Sequence, residues 1–393
     1  MHLMRSKYQS KTSGHTLLDL VLLTRGFECT DPRDKVFALV GLAKDVESTD
    51  WEVTPDYSRP TEDVYKLFAL WSITKRRDLQ VLALTPDPLM PPTLSLPSWV
   101  PDLKRSNKAD PLPVMPNLLS AASEASWTQG LTVRLKQRDV FHADSSAFES
   151  TIRGVSSMRN QPSVSLEDNN TELRVHGRKV DEIKEVGSVA NFAIVPYYDP
   201  NMSGQPVSVG SSYTRINDWL RETLMITTRG TGALSFEVFQ MWWPTLSCGM
   251  DASGRPLERK WLYAFTVAAT QLGFRIPDYG WRTYVPLDGF LEFKDPVSAM
   301  SRLLNYHEPA VIRWAQYRRF CCTAAGRLGL VPGGAAPGDV ICVLVGGRVP
   351  FILRPSTDGS YKIIGEAYIH DLMHGEAMKL SGKNVREGSF ALH

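Results

Sequence analysis

Towards its carboxyl end the chain alternates short apolar runs with clusters of Gly, Pro, Asp and Ser. The runs are Leu328–Val331, Val340–Val345, Val349–Leu353 and Tyr361–Ile369. That spacing predicts several short antiparallel strands over about 326–369, forming a small sheet or barrel. Gly346-Gly347 and Asp358-Gly359 fall between runs, where tight turns need the left-handed backbone that glycine adopts at no steric cost. On this reading a valine at Gly347 would strain its turn. Far upstream, Leu173–His176 and Val180–Val186 flank Gly177-Arg178, which predicts a hairpin over about 171–186. Pairing of that hairpin with the carboxyl-terminal strands makes a β unit split in sequence.

Elsewhere the apolar period is helical. Leu17–Leu23 is a short helix-like run interrupted by Asp19. Asp31 is placed to cap a second helix, Pro32 suits its first position, and Asp34 favours the positive end of its dipole. Val36, Phe37, Val40 and Ala43 then share one face. A third helix, capped by Thr61 or Ser58, turns Val64, Phe68 and Trp71 inward, and Leu79–Leu84 reads as a strand or buried extended segment. Residues 215–320 carry apolar positions three and four apart. This marks a large helical insertion in which Trp242, Trp243, Trp261 and Trp314 serve as packing. The fold class expected is α+β. A helical segment spans 1–84, a proline-rich and irregular stretch 85–170, the hairpin 171–187, the helical insertion 215–320 and a small β unit 321–380.

Composition adds limits to this picture. Nine of the 26 prolines lie in residues 85–116, a density that excludes regular helix or central strand. A net charge of +2 gives no footing for nucleic acid or an anionic membrane surface, and no apolar run approaches the ~18 residues needed to cross a bilayer. Five cysteines, Cys29, Cys248, Cys321, Cys322 and Cys342, lack paired spacing, which fits free thiols in a reducing, cytoplasmic setting.

Five stretches carry a family resemblance: DPRDKVFALVGLA from Asp31, PDYSRPTEDVY from Pro55, LPSWVPDL from Leu96, LRVHGRKVDEIKEVG from Leu173, and the long run from Arg318 to Met378. In that order and wording the chain resembles fungal heterokaryon-incompatibility (HET domain) proteins. The positions matching family motifs are Asp31, Pro32, Arg33, Asp34, Pro55, Asp56, Tyr57, Pro97, Trp99, Pro101, Gly329, Gly347, Gly365, Glu366, His370, Gly375 and Glu376. Leu103 stands where the family usually has Trp. Family members open with a domain bearing "ALSYVWG" and "WIDALCINQ", similar to TIR-type folds and linked in some members to NAD-consuming cell death. Neither phrase occurs here. The resemblance therefore implies the region that follows that domain, a non-catalytic regulatory or scaffold part associated with non-self recognition. It implies no cofactor, and protein partners that include an amino-terminal HET domain in cis or in trans.

Other candidate chemistry has weaker support in the sequence. His370 and His374 are four apart, the spacing of a zinc pair on one helix face, but Asp371 stands where a catalytic motif needs Glu, and two histidines leave zinc underligated. Cys321-Cys322 with His307 and Glu308 would make a thiol–imidazole pair without any supporting local signature. GRLGLVPGG lacks the Gly-Lys-Ser/Thr ending of a phosphate loop, so turn glycines explain it. Glu366 and Glu376 are candidates for salt bridges rather than proton transfer. The alternatives are thus a stand-alone enzyme using a thiol or a His370/His374 metal site, and a small barrel that binds a ligand or peptide.

Overall fold

The computed structural model describes residues 14–76, 79–84, 93–105, 112, 163–167, 170–192, 209–231, 234–257, 272, 309–373, 375–382 and 385–393. The fold is α+β, and its organising element is β2 (Asn170–Val189), preceded by β1 (Ser163–Glu167). Twenty residues is long for a strand, against a usual ~5–6. β2 can run so far because it changes partners along its length. Its first part takes β1 and then β5 (Val340–Leu344), while β9 (Arg386–Leu392) pairs with Leu173–Lys179. Its last part pairs with β3 (Arg318–Thr323), and register shifts after Lys179, Ile183 and Val186 bend it between them.

The hairpin expected over 171–186 is therefore one continuous strand. Gly177 marks a close approach and not a turn: its backbone is extended, and a Cβ there would lie 2.6 Å from the Val343 carbonyl oxygen. The split of the β unit in sequence is as expected, and its true hairpin joins β1 to β2 inside the stretch read as irregular.

Around the front half of β2 the strands close a ring. β5 and β9 take its opposite edges, since both pair with Gly177–Lys179. β5 continues to β6 (Phe351–Pro355) and β7 (Tyr361–Glu366), and β7 returns to β9 through one parallel pair, Tyr361 with Leu392. From the back half of β2, a second path runs through β3 and β4 (Leu328–Pro332) to the short β8 (Tyr368–Ile369). All five β5 residues are buried because both faces are covered. Val340, Cys342 and Leu344 join one core with members of all five ring strands, while Ile341 and Val343 join a second core against β3, β4 and β8.

That first core is completed by the amino-terminal helices α1 (Leu17–Thr24), α2 (Asp34–Val40) and α3 (Thr61–Arg76). α1 starts in a capping box between Thr16 and Asp19. Val36 and Phe37 of α2 and Val64, Phe68 and Trp71 of α3 are buried as expected. Gln80–Leu84 is buried but forms a 3-10 turn instead of a strand. A third core holds α4 (Val209–Thr228) and α5 (Phe236–Thr245) with helical residues 309–315. Trp242 and Trp314 are fully buried, and each indole N–H finds an acceptor, Thr223 Oγ1 and the Asp251 carbonyl, at 2.9 Å. Trp261 and most of residues 258–308 lie outside the described residues.

Two further boundaries differ from the sequence reading. The helical insertion ends before 320, because Tyr317 turns into a left-handed backbone (φ 62°) and β3 begins at Arg318. The β unit also runs beyond 380, since β9 is needed to close the ring. In the β5–β6 connection the left-handed residue is Gly346 (φ 84°), with Gly347 N–H bonded to Leu344 O, the pattern of a type II turn. Gly347 is constrained for another reason: a Cβ there would meet the Phe351 ring at 2.8 Å.

Gly177 and Gly388 face each other across β2 and β9, yet nothing lies within 4 Å of a Cβ at Gly388. Gly177→Ala is expected to cost on the order of 2 kcal/mol by overpacking, and Gly388→Ala less than about 0.5 kcal/mol. Chemical-denaturation midpoints check this, and equal effects of the two variants would contradict the assigned register.

Candidate functional site

The motifs read from the sequence fold into four polar centres. The first joins DPRD to PDY. Asp31 accepts the Arg33 backbone N–H at 3.0 Å in a local turn ahead of α2, but it does not cap the helix and Pro32 is not its first residue: regular helix starts at Asp34, with Arg33 at the N-cap and no side-chain cap. The Arg33 guanidinium then grips both oxygens of Asp31 (3.0 and 2.7 Å) and donates to the carbonyls of Tyr57 (2.5 Å) and Arg59 (3.0 Å). Tyr57 answers by donating its hydroxyl to Asp34 Oδ1 at 2.5 Å. Ser58, one of the two cap candidates, instead gives its N–H and hydroxyl to Asp56. Residues some 25 apart in sequence thus hold one another at the surface. The hydrogen bonds from Arg33 hold Asp31 below the usual carboxylate range, and that to Asp34 holds the Tyr57 hydroxyl protonated.

The second centre fixes LPSWVPDL. Trp99 is fully buried in the core shared by the helices and the ring, the packing anchor its flanking Pro97 and Pro101 suggested. Beside it the Ser98 backbone N–H donates to His393 O at 2.9 Å, while Ser98 Oγ accepts from Ile363 N–H at 3.0 Å. This short segment therefore ties β7 to the end of β9.

The third centre is a pair of buried aspartates. Asp181 of β2 receives Thr323 Oγ1 at 2.7 Å and Arg327 Nη1 at 2.8 Å, pinning the β3–β4 turn. Asp339 takes Arg354 in a two-pronged bond at 2.8 and 2.9 Å. Neither was singled out in the sequence. The available signal was the wording of the motif run itself, where Asp339 opens an apolar run and Arg354 closes the next.

The fourth centre is deepest. Glu366 at the end of β7 faces Arg318 at the start of β3 at 3.3 Å, with side-chain exposures of 8% and 3%. Arg318 also donates to Trp314 O at 2.9 Å, and Glu366 accepts the Leu112 N–H. Burial outweighs the guanidinium and raises the Glu366 carboxyl to about 7. Gly365 beside it has a left-handed φ of 143°, and a Cβ would meet Pro332 at 2.9 Å. Gly329, read as a turn glycine, lies inside β4, where a Cβ would be 2.5 Å from Ile369.

The groups with nucleophilic or metal-binding character are not gathered in one place. His374, His307 and Glu308 lie outside the described residues. His370 faces Tyr368 Oη at 3.4 Å and Asp371 at 3.6 Å. Gly375 caps the 3-10 turn that begins at Glu376. Cys248, Cys321, Cys322 and Cys342 are buried, and Cys29 is exposed. Burial pushes the Cys248 thiol up to about 12 and raises Cys321, Cys322 and Cys342 as well, so none is poised as a thiolate. Among the described residues no three His, Cys, Asp or Glu side chains converge as metal ligands, and no helix is long and apolar enough to cross a membrane. A small cleft lined by Val21, Arg25, Lys35, Leu84, Leu103 and Arg105 encloses about 10 Å³, the room of one water.

Residues 297–389 match the family model of the Het-6 beta-barrel domain. Heterokaryon incompatibility protein 6, OR allele, of Neurospora crassa is 37% identical over 68 residues, which is 16% of this chain and 10% of that protein. The matched stretch thus spans a tenth of the length of that curated relative. No solved structure matches the chain. The likeness to heterokaryon-incompatibility proteins read from the motifs is thereby shown through the carboxyl-terminal region, and it supports a protein of that type with fungal kin.

Two outcomes follow from these centres. Because folding raises the Glu366 carboxyl from 4.5 to about 7, its contribution to stability is complete below about pH 4.5 and lost as pH rises through 7. Relative to Glu366→Gln, the native protein should lose on the order of 3 kcal/mol between pH 4.5 and 8. A pH-independent difference in denaturation midpoints between the two proteins would contradict the assignment. Thiol titration of the native protein should show one fast-reacting group, Cys29, with the others released only on unfolding; a second fast thiol would contradict their placement.

Proposed function

We propose that this chain is a non-catalytic regulatory and scaffold region of a heterokaryon-incompatibility-type protein. In this reading it acts in the cytoplasm, in fungal non-self recognition and the cell death coupled to it. Its partners are proteins, including an amino-terminal HET domain supplied in cis or in trans.

One observation carries the reading. Charged residues within the matched stretches, among them the motif positions Arg33 and Glu366, hold distant segments of the chain to one another. Arg33 joins two loops, Glu366 joins β7 to β3, and Asp181 and Asp339 secure turns between strands. A charged group taken up by such ties is held in place, which suits a rigid support. The buried thiols point the same way, since nucleophilic work needs an accessible, acidic thiol. The reading as a small-molecule barrel draws little support from a ring whose five strands all contribute buried apolar side chains to one core.

The test uses the purified chain, incubated with NAD and followed for nicotinamide release, together with elemental analysis for zinc. Absence of turnover with less than about a tenth of an equivalent of metal is expected. Turnover, or stoichiometric zinc that depends on His370 and His374, would replace the scaffold reading with an enzyme or a metal centre.

A further inference from the structure

Large apolar side chains exposed to solvent are few among the described residues: Phe27, Leu42, Trp51, Tyr57 and Met225. Four of the five fall between residues 27 and 57, around α2 and the connection from Gly41 to Pro60 that leads into α3. A connection of some 20 residues without regular structure is uncommon in a compact unit and is usually kept for function. This one is not slack. Asp56 binds Ser58 and Arg59, Asp50 accepts the Glu47 N–H, and Lys75 of α3 bonds to Glu47 and Asp50.

On this braced loop Trp51 is 58% exposed and Tyr57 53% exposed. Each ring already carries a guanidinium: Arg59 lies 5.7 Å from the Trp51 ring centre and Arg33 lies 5.2 Å from that of Tyr57. Tyr57 is fixed further by its edge-on contact with Phe37 at 5.2 Å and its hydroxyl bond to Asp34. Rings held in advance lose little freedom when a partner covers them. The local charge is opposite in sign to that of the whole chain. Residues 42–63 hold seven acidic and two basic side chains, and Lys66 and Lys75 of α3 offset only two of the excess, whereas the entire protein is +2.

We infer that the Trp51–Tyr57 face is a docking surface for a basic, arginine- or lysine-bearing segment of a protein partner. The surrounding carboxylates steer a basic segment onto these exposed rings and repel nucleic acid and anionic lipid. The inference deepens the scaffold reading, on which it rests for the idea of a protein partner, by giving that partner a place and a charge.

The experiment titrates the full chain into two labelled peptides, one alternating Arg and Leu and one alternating Glu and Leu, and reads fluorescence anisotropy at low and moderate salt. Sedimentation of the chain alone runs beside it. The Arg peptide should bind, weaken as salt rises, and lose at least about tenfold in affinity in Trp51→Ser. Met225→Ser, which removes an exposed apolar side chain on α4 outside this loop, should bind as the native protein does. Circular dichroism confirms that both variants fold. Equal binding of both peptides, no binding of either, or unchanged affinity in Trp51→Ser would overturn the proposal. So would a dimer of the chain that Trp51→Ser dissolves, since a second copy would then cover the face. None of these outcomes bears on NAD turnover or zinc, so failure here is distinguishable from failure of the scaffold reading.

Discussion

A buried strand must have its backbone hydrogen bonds met along both edges, and β2 meets this demand only by recruiting strands from the far end of the chain. Its amide and carbonyl groups are taken up by β1, β5, β9 and β3 in turn. Removing β2 would leave β5, β9 and β3 each with an unpaired edge inside apolar surroundings, a cost far above that of any single side-chain contact here. The remaining features follow from this arrangement. The ring closes because β5 and β9 sit on opposite edges of one strand. The helical insertion packs where it does because it leaves from the end of β2 and returns into β3.

The charged motifs can be understood as consequences of the same topology. The central strand β2 has no short connection to β3, β5 or β9 that would set its register against them. Buried ties between distant residues supply what the connections do not. Asp181 fastens the turn after β3 to β2, Ser98 fastens the proline-rich segment to β7 and to the final residue, and Arg318 with Glu366 fastens β3 to β7. Such pairs are poor sources of net stability, because desolvation offsets most of their attraction, but an unpaired partner is strongly penalised. They therefore serve to exclude wrong registers. The Het-6 beta-barrel match begins at residue 297 and so leaves β2 outside it, although β2 completes the ring.

Much of this was legible in the sequence, for identifiable reasons. The carboxyl-terminal strands announce themselves because their apolar runs are short and bounded by turn residues. Trp99 was recognisable as an anchor because prolines on both sides leave a large ring little else to do. What could not be read depends on contacts distant in sequence. Gly177 looks like a turn residue, and only the carbonyl of Val343 explains why it must be glycine. Leu79–Leu84 has strand-like composition but is buried against the ring, with Leu79 N–H bonded to Gly346 O, and coils into a 3-10 turn. Arg33 was visible as a motif residue, while its grip on Tyr57 and Arg59 appears only once two loops are in contact.

Native-state hydrogen exchange of the full chain tests the dependence on β2 most directly. Amides of residues 173–189 are expected to exchange among the slowest in the protein, at one common free energy with those of 340–344 and 386–392, because the ring opens as a unit. If the amides of β2 exchanged readily while β5 and β9 stayed protected, the carboxyl-terminal strands would be stable without it, and the account would be wrong.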